Sequence, residues 1–205
     1  MYRGEWPGHA VIVGMMGSGK TYSLLGEISQ GGAVLVDLNA DAPVESFVQG
    51  QVVPMDWRYS PARVWEQARP GWVVHYVPHS TASAAVEVEH LCAYLDRVNR
   101  TGNGIGPRTL AIDEAQAVAE QGRVGPMLRE AWDRGRHWDL RIVLATPVPQ
   151  LVDHHLRLTA STVIVHRIAW SDWMTRLGLQ ESSLQGLMGH ERFVLKGGQM
   201  DGKAE

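Results

Sequence analysis

Gly14-Met15-Met16-Gly17-Ser18-Gly19-Lys20-Thr21 matches the phosphate-binding pattern G-x-x-x-x-G-K-[ST] at every fixed position. The apolar run at 9–13 in front of it has the length of a strand, and residues 21–28 behind it have helical spacing. Such a loop needs this strand-loop-helix context, because its backbone N–H groups and the helix N-terminus together surround phosphate oxygens. The stretch therefore predicts a nucleotide site.

Each fixed residue of this loop has a predicted task. The glycines let the backbone turn inward around phosphate, Lys20 would reach the β- and γ-phosphates, and Thr21 would ligate Mg²⁺. Lys20 is the only lysine before Lys196, whereas arginines occur all along the chain. This use of lysine indicates that the position requires a compact point charge rather than a planar guanidinium. The predicted nucleotide-binding residues are Gly14, Gly17, Ser18, Gly19, Lys20, Thr21 and Tyr22.

Apolar runs of strand length alternate with helical patterns along most of the chain. After the first strand, the runs lie at 33–38, 72–77, 109–114, 140–146, 161–166 and 192–195. Runs that are apolar at nearly every position are typical of strands covered on both faces, and helical crossovers imply parallel pairing. The pattern predicts an α/β fold with a three-layer, doubly wound, mostly parallel sheet.

Four further segments have helical spacing, at 83–100, 126–138, 150–160 and 172–179. Residues 39–71 contain four prolines and are interpreted as a loop-rich connection with a short helical stretch at 62–68.

The length of 205 residues suits one well-buried domain, and we expect a single P-loop domain over 1–205, with a core at about 9–195 and a polar tail at 196–205. The formal charge of −3 provides no bulk basic field, so any contact with DNA needs a local patch. Cys92 is the single cysteine, which excludes an internal disulfide framework. With no apolar stretch of signal-peptide or membrane-spanning length, we expect a soluble, intracellular protein, neither secreted nor integral to a membrane.

The apolar run Thr109-Leu110-Ala111-Ile112-Asp113-Glu114 ends in two carboxylates. Alone, such a pair is often only a solvated strand end, but after a complete P-loop it matches the acidic partner of that loop. Asp113 would hold Mg²⁺ directly or through water, and Glu114 would orient and deprotonate the attacking water. The pair favours hydrolysis over simple nucleotide binding.

Taken together, these motifs resemble the HerA/FtsK superfamily of DNA-pumping ATPases. The resemblance is carried by the P-loop, by Val36-Asp37-Leu38-Asn39, by Leu110-Ala111-Ile112-Asp113-Glu114-Ala115 and by Gly135-Arg136-His137-Trp138-Asp139-Leu140-Arg141-Ile142-Val143-Leu144-Ala145-Thr146. It covers about residues 9–195 in order. The compact length is most similar to the genome-packaging ATPases of tailless, membrane-containing icosahedral viruses.

The resemblance implies an additional-strand ATPase core, in which the strand ending at Thr146 lies between the P-loop strand and the Asp113-Glu114 strand. It also implies a homo-oligomeric ring, a pentamer or hexamer, in which Arg136 reaches a neighbour's nucleotide. The family usually ends this strand with a glutamine, whereas here the chain continues Thr146-Pro147-Val148-Pro149. Either Thr146 senses the γ-phosphate or Gln150 reaches back to it.

The function implied is ATP hydrolysis, with ATP and Mg²⁺ as cofactors, coupled to moving double-stranded DNA into a preformed viral capsid. Implied partners are DNA and the capsid or internal-membrane vertex proteins, in the host cytoplasm or the virion. The predicted catalytic residues are Lys20, Glu114, Arg136 and Thr146, and the predicted metal ligands are Thr21 and Asp113. Candidate DNA contacts are Arg100, Arg108 and Arg123, which flank glycine-rich loops.

Two alternatives from other classes stay open. A small-molecule or nucleotide kinase would also use this P-loop. In such an enzyme, however, a base that activates water at Glu114 would hydrolyse ATP without phosphorylating the acceptor. No arginine-rich lid is evident in the sequence either. A non-hydrolysing, nucleotide-gated adaptor would keep the P-loop and make Glu114 dispensable.

Overall fold

One sheet organises the computed structural model, which describes residues 6–168 and 192–196, the backbone of 199–201 and the single positions 175, 179 and 187. Within that part the strands are β1 (Ala10–Val13), β2 (Ala33–Val36), β3 (Gln51–Asp56), β4 (Trp72–Val77), β5 (Arg108–Ile112), β6 (Leu140–Thr146), β7 (Thr162–His166), β8 (Arg192–Lys196) and β9 (Gln199–Asp201). The α-helices are α1 (Lys20–Ile28), α2 (Val44–Phe47), α3 (Pro61–Gln67), α4 (Thr81–Arg100), α5 (Pro126–Arg134) and α6 (His154–Thr159). Single 3₁₀ turns lie at Ala115–Ala117, Gly135–Trp138 and Pro149–Leu151.

The strand order is β3-β4-β2-β5-β6-β1-β7-β8-β9. Strands β1 to β7 pair in parallel, and β8 and β9 add an antiparallel edge. The predicted fold class, a doubly wound and mostly parallel α/β sheet, is confirmed. Strand β6 lies between β1 and β5, which is the strand insertion that the resemblance implied.

The sheet is covered on both faces because successive strand residues point to opposite sides. In β1, Ala10 and Ile12 belong to the apolar cluster under α1, whereas Val11 and Val13 belong to the cluster under α4 and α5. All four of these residues are fully buried, as expected for parallel strands with helices on both faces. Because helices cover both faces of the sheet, the ends of the strands are the parts of the sheet that helices do not cover.

The prediction for residues 39–71 was wrong at one element, because Gln51–Asp56 forms β3 rather than a loop. Strand β3 lies at the edge of the sheet and pairs only with β4. One side of an edge strand makes no ladder hydrogen bonds, so a proline is tolerated there. Because proline argues against a central strand, Pro54 made the sequence of β3 resemble a loop.

Several boundaries also differ from the predictions. Helix α5 ends at Arg134 and continues only as a 3₁₀ turn, and β5 ends at Ile112, two residues before Glu114. The tail predicted as polar contains β9, which pairs with β8. The helix predicted at 172–179 lies outside the described residues apart from two positions. Among the described helices, none is both long and apolar enough to cross a membrane.

Candidate active site

The P-loop connects β1 to α1 at the carboxyl end of the sheet, which we define as the end where the parallel strands β1 to β7 finish. Two of its glycines, Gly17 at φ 74° and Gly19 at φ 97°, have left-handed backbone conformations that other residues rarely adopt. Gly14 is required for space, because a Cβ atom there would lie 2.4 Å from the Ser18 hydroxyl. The loop therefore needs glycine at each of these positions to form its turn.

Ser18 and Lys20 are both nearly buried within the loop, at 1% and 6% exposure. The Ser18 hydroxyl has no hydrogen-bond partner in the described chain, which is unusual for a buried polar atom. The Lys20 ammonium lies 3.4 Å from the Met15 carbonyl oxygen, a long contact for a charged donor. Both groups fit a loop built to surround a polar, negatively charged ligand.

Thr21 and Asp113 meet at the mouth of the loop, although 92 positions separate them in the chain. The Thr21 hydroxyl donates a hydrogen bond of 2.9 Å to the Asp113 carboxylate, which is 5% exposed and accepts a second bond from the Glu114 N–H. Burial raises the pKa of Asp113 from its usual value. A hydroxyl and a buried carboxylate are hard oxygen ligands, so this pair fits Mg²⁺.

Glu114 follows β5 in a left-handed backbone conformation, with φ 55° and ψ 45°. Its carboxylate accepts a 2.6 Å hydrogen bond from the side-chain amide of Gln116, whose oxygen accepts a 2.8 Å bond from the Thr146 hydroxyl. The end of β6 is thus joined to the end of β5 by side chains. Sequence reasoning missed Gln116, and the available signal was one polar residue within the small, apolar stretch 115–119.

Two further residues predicted at the site, Tyr22 and Gln150, are exposed. The Tyr22 side chain is 46% exposed, and its ring packs against Phe47 with centroids 4.8 Å apart. Gln150 is exposed in the 3₁₀ turn that follows β6. Of the two candidate sensors, Thr146 is the one whose side chain reaches Gln116 in the described chain.

The neighbouring strand β7 supports the loop through contacts that the sequence did not predict. The Met15 N–H donates a 2.9 Å bond to the Arg167 carbonyl, and the buried His166 ring lies 2.9 Å from the Ser23 hydroxyl of α1. Arg192 of β8 donates a 2.8 Å bond to the same hydroxyl. The P-loop and the first turns of α1 are therefore fixed from the β7 side.

Arg136 lies at the opposite, amino end of the sheet, in the 3₁₀ turn before β6. Strand β6 has seven residues. A strand of that length spans about 20 Å, so Arg136 cannot reach the P-loop of its own chain. The Arg136 side chain is exposed and has no hydrogen-bond or ion-pair partner among the described residues. It lines a surface cavity of about 320 Å³ together with Trp6, His9, Trp132 and other residues.

The three candidate DNA contacts fall at different places. Arg108 is 9% exposed in β5 and donates to the Pro107 carbonyl, so its prediction as a surface contact was wrong. Arg100 is exposed at the amino end of the sheet and pairs with Asp96. Arg123 is exposed on the other side of the domain and pairs with Glu120.

Known proteins share the fold of this chain but not a recognisable sequence. The chain matches no protein-family model and no curated protein sequence. Its structure is similar to the genome packaging NTPase B204 of Sulfolobus turreted icosahedral virus 2 bound to ATPγS, with a TM-score of 0.66, 16% identity and 94% of each chain covered.

Two further solved structures are similar. B204, the DNA-packaging ATPase of Sulfolobus turreted icosahedral virus, gives a TM-score of 0.61 at 16% identity, covering 93% of this chain and 92% of that one. VirB4 of Thermoanaerobacter pseudethanolicus gives 0.63 at 9% identity, covering 94% and 87%. These similarities confirm that the chain shares the fold of these structures, which is the fold that the resemblance implied.

Proposed function

We propose that this chain is an ATPase that hydrolyses ATP by in-line attack of water and uses it to move double-stranded DNA into a viral capsid. The observation that carries the hydrolytic part is the 2.9 Å contact between Thr21 and Asp113 at the mouth of the P-loop, with Glu114 next along the chain. The contact supports the proposal because it brings together the two side chains that are the proposed Mg²⁺ ligands.

Each residue of the site has a role that follows from its chemistry. The backbone N–H groups of the loop bind the phosphates, and Lys20 contacts the β- and γ-phosphate oxygens. Thr21 and Asp113 would hold Mg²⁺, which supplies charge neutralisation at the phosphates when it is bound. Glu114 is half-buried, and its proposed role is to orient the attacking water and accept its proton.

The coupling to DNA is supported by the shared fold. B204 is a genome-packaging NTPase, and its structural similarity to this chain extends over nearly the whole of both chains. We propose that residues 1–205 form one such motor domain, which assembles head to tail as a ring and works at a packaging vertex in the host cytoplasm or the virion. Capsid or internal-membrane vertex proteins are its proposed docking partners.

The test is ATP turnover by the wild-type chain with and without linear double-stranded DNA, beside Glu114→Gln. A positioned base contributes about 10²–10⁴-fold, so Glu114→Gln should lose that factor in turnover and bind ATP almost normally. Glu120→Gln is the matched control, because Glu120 is an exposed carboxylate on the same segment.

The result separates the alternatives. Turnover that rises with DNA supports a motor, and turnover indifferent to DNA leaves an ATPase of another kind. Nucleotide binding without turnover under either condition favours the adaptor. Turnover that needs a small-molecule acceptor favours the kinase. Glu114→Gln within about threefold of the wild-type rate would remove Glu114 from the mechanism.

A further inference from the structure

The Glu114 carboxylate and the Thr146 hydroxyl are joined by one side chain, that of Gln116. The Val148 N–H donates to the Thr146 oxygen at 3.1 Å, so the hydroxyl hydrogen is left for the Gln116 carbonyl oxygen at 2.8 Å. A carboxylate only accepts, so the Gln116 NH₂ must donate to Glu114 at 2.6 Å. One orientation of the amide satisfies both partners, which fixes the direction of every hydrogen bond in the relay.

This direction has a consequence for a bound nucleotide. Thr146 pairs with Val13, and its carbonyl accepts from the Gly14 N–H at 3.3 Å, so its side chain lies beside the start of the P-loop. A phosphate oxygen is also only an acceptor of hydrogen bonds. It can bind the Thr146 hydroxyl hydrogen only if that hydrogen leaves Gln116.

We propose that Gln116 is a positioning residue that couples occupation of the γ-phosphate position, through Thr146, to the orientation of Glu114. The proposal rests on the proposed ATP hydrolysis and adds to it the regulation of the base. In the nucleotide-free chain, Thr146 holds Gln116 and Gln116 holds Glu114. When a γ-phosphate binds the Thr146 hydroxyl, Gln116 is released from β6 but still binds Glu114, so the amide moves with the carboxylate and orients it toward water.

The backbone around Glu114 explains why its side chain needs a hydrogen-bond partner such as Gln116. Glu114 has a left-handed conformation that is uncommon for a residue with a side chain, and its neighbour Ala115 is fully buried. The 3₁₀ turn Ala115–Ala117 places Gln116 over the ends of β5 and β6. The orientation of the Glu114 side chain therefore depends on the amide that binds it.

The first experiment measures kcat and the affinities for ATPγS and ADP in Gln116→Ala. Loss of the amide that orients the base should lower kcat by at least about 10-fold. The same change frees the Thr146 hydroxyl, and since one net hydrogen bond corresponds to a factor of about 2–10, the ATPγS:ADP affinity ratio should rise by that factor. A merely structural role of Gln116 would weaken the binding of both nucleotides together.

The second experiment adds Thr146→Val to Gln116→Ala. Without the hydroxyl, the gain in the ATPγS:ADP affinity ratio should disappear, and the double variant should have a kcat close to that of Gln116→Ala because both residues act in one relay. Gln121→Ala, which changes an exposed glutamine five positions along, is the control and should match the wild type.

Gln116→Glu tests the proposal if the alanine variant does not fold. It preserves the size of the side chain and an acceptor for Thr146, and it replaces the donor to Glu114 with a second carboxylate. Its kcat should fall by at least about 10-fold without any gain in the ATPγS:ADP affinity ratio.

The outcomes separate this proposal from the proposed function. If the wild-type chain hydrolyses ATP but Gln116→Ala or Gln116→Glu retains kcat within about threefold, the coupling is wrong and the ATPase stands. A fall in kcat with an unchanged ATPγS:ADP ratio in Gln116→Ala also overturns the coupling. A wild-type chain that hydrolyses no ATP overturns both.

Discussion

The two ends of β6 differ in whether the polar side chains that lie there have hydrogen-bond partners within the described chain. At the carboxyl end, the Thr146 side chain binds Gln116 and the Val148 N–H, and the neighbouring strand ends supply Asp113 and Glu114. At the amino end, the exposed side chain of Arg136 has no polar partner among the described residues. One end contains the proposed hydrolysis site, and the other has an exposed arginine on its surface.

Together with the proposed ring, this difference predicts that each active site is completed by two copies of the chain. Arg136 cannot act on its own P-loop, because β6 holds the two apart by about 20 Å. A head-to-tail ring would place the amino end of one subunit against the carboxyl end of the next. The comparison therefore predicts that defects at the two ends can complement each other.

The largest expected effect is that of Arg136→Ala. A trans-acting arginine that neutralises charge on the γ-phosphoryl group is worth about 10³–10⁵ in rate, so the variant should bind ATP and scarcely turn over. Lys20→Ala should also be inactive, since it loses its own phosphate contact but still presents Arg136. Mixing the two before assembly should restore activity at about a quarter of the interfaces in a head-to-tail ring at equal amounts. The measurement is ATP turnover against the mixing ratio.

Arg134→Ala is the matched control for this prediction. Arg134 is exposed two residues away and already pairs with Glu130 at 2.7 Å, so its removal should have little effect on turnover. Rings shown to be mixed but inactive at every ratio would count against a trans role. A monomer with full activity would end it.

The second prediction concerns the stability of the amino end, where His9 is buried. The His9 Nδ1 atom accepts a 2.9 Å bond from the Ile142 N–H and Nε2 donates at 2.7 Å to the Trp132 carbonyl, so the ring is held in one neutral tautomer. Burial lowers the pKa of His9 to about 4 from 6.5. Between these values the unfolded chain binds more protons, so the free energy of unfolding should fall by roughly 3 kcal/mol as pH drops from 6.5 to 4.

Denaturant unfolding at several pH values measures this loss. His9→Gln cannot protonate and should show a shallower decline over that window, whereas His90→Gln, which changes an exposed histidine, should follow the wild type. The raised pKa of Asp113 acts with the opposite sign and is common to all three chains, so the difference between them isolates His9. Parallel curves for wild type and His9→Gln would show that the His9 ring does not stay neutral.

The third prediction returns to the carboxyl end. Thr21→Val preserves the shape of the side chain and removes the hydroxyl that would ligate Mg²⁺, so half-maximal turnover should need at least about 10-fold more Mg²⁺. Thr21→Ser retains a hydroxyl and should stay close to the wild type. A magnesium titration of ATP turnover compares the three, and an unchanged requirement in Thr21→Val would exclude Thr21 as a ligand.

The parts of the site that the sequence could predict depend on short-range patterns. The P-loop is contiguous, and Asp113 follows an apolar run, so both are visible in a few residues. Gln116 could not be assigned, because its role depends on Thr146, 30 positions away on the strand beside it. The contact of His9 with the Ile142 N–H spans 133 positions and is equally invisible to a local pattern.

The fold shows the same limit. Strands buried on both faces were recognised because their apolar runs are nearly continuous, and the order of β5, β6 and β1 came from the resemblance. Strand β3 was missed since its residues are half-exposed and Pro54 interrupts them. An edge strand is stabilised by one neighbour and not by its own composition, so its sequence lacks the signal of a central strand.

The smallest expected effect is on DNA binding, where the two remaining candidate arginines lie on different sides of the domain. Each phosphate contact adds about 0.9 to the magnitude of the log-log salt slope on duplex DNA. Arg123 is 78% exposed in the loop that follows the 3₁₀ turn Ala115–Ala117, and its partner Glu120 is at 3.2 Å, a surface pair that a phosphate can replace at small cost. Arg100 lies at the amino end, where we expect the subunit contact.

Arg123→Gln should therefore reduce the slope by about 0.9 for each subunit that contacts DNA, and Arg100→Gln should leave it unchanged. Fluorescence anisotropy with a labelled duplex over a range of salt concentrations measures both. The reverse pattern would place the DNA at the amino end, beside Arg136, and would then exclude that end as the surface that completes a neighbour's site. The slope thus tests the difference between the two ends independently of any measurement of ATP turnover.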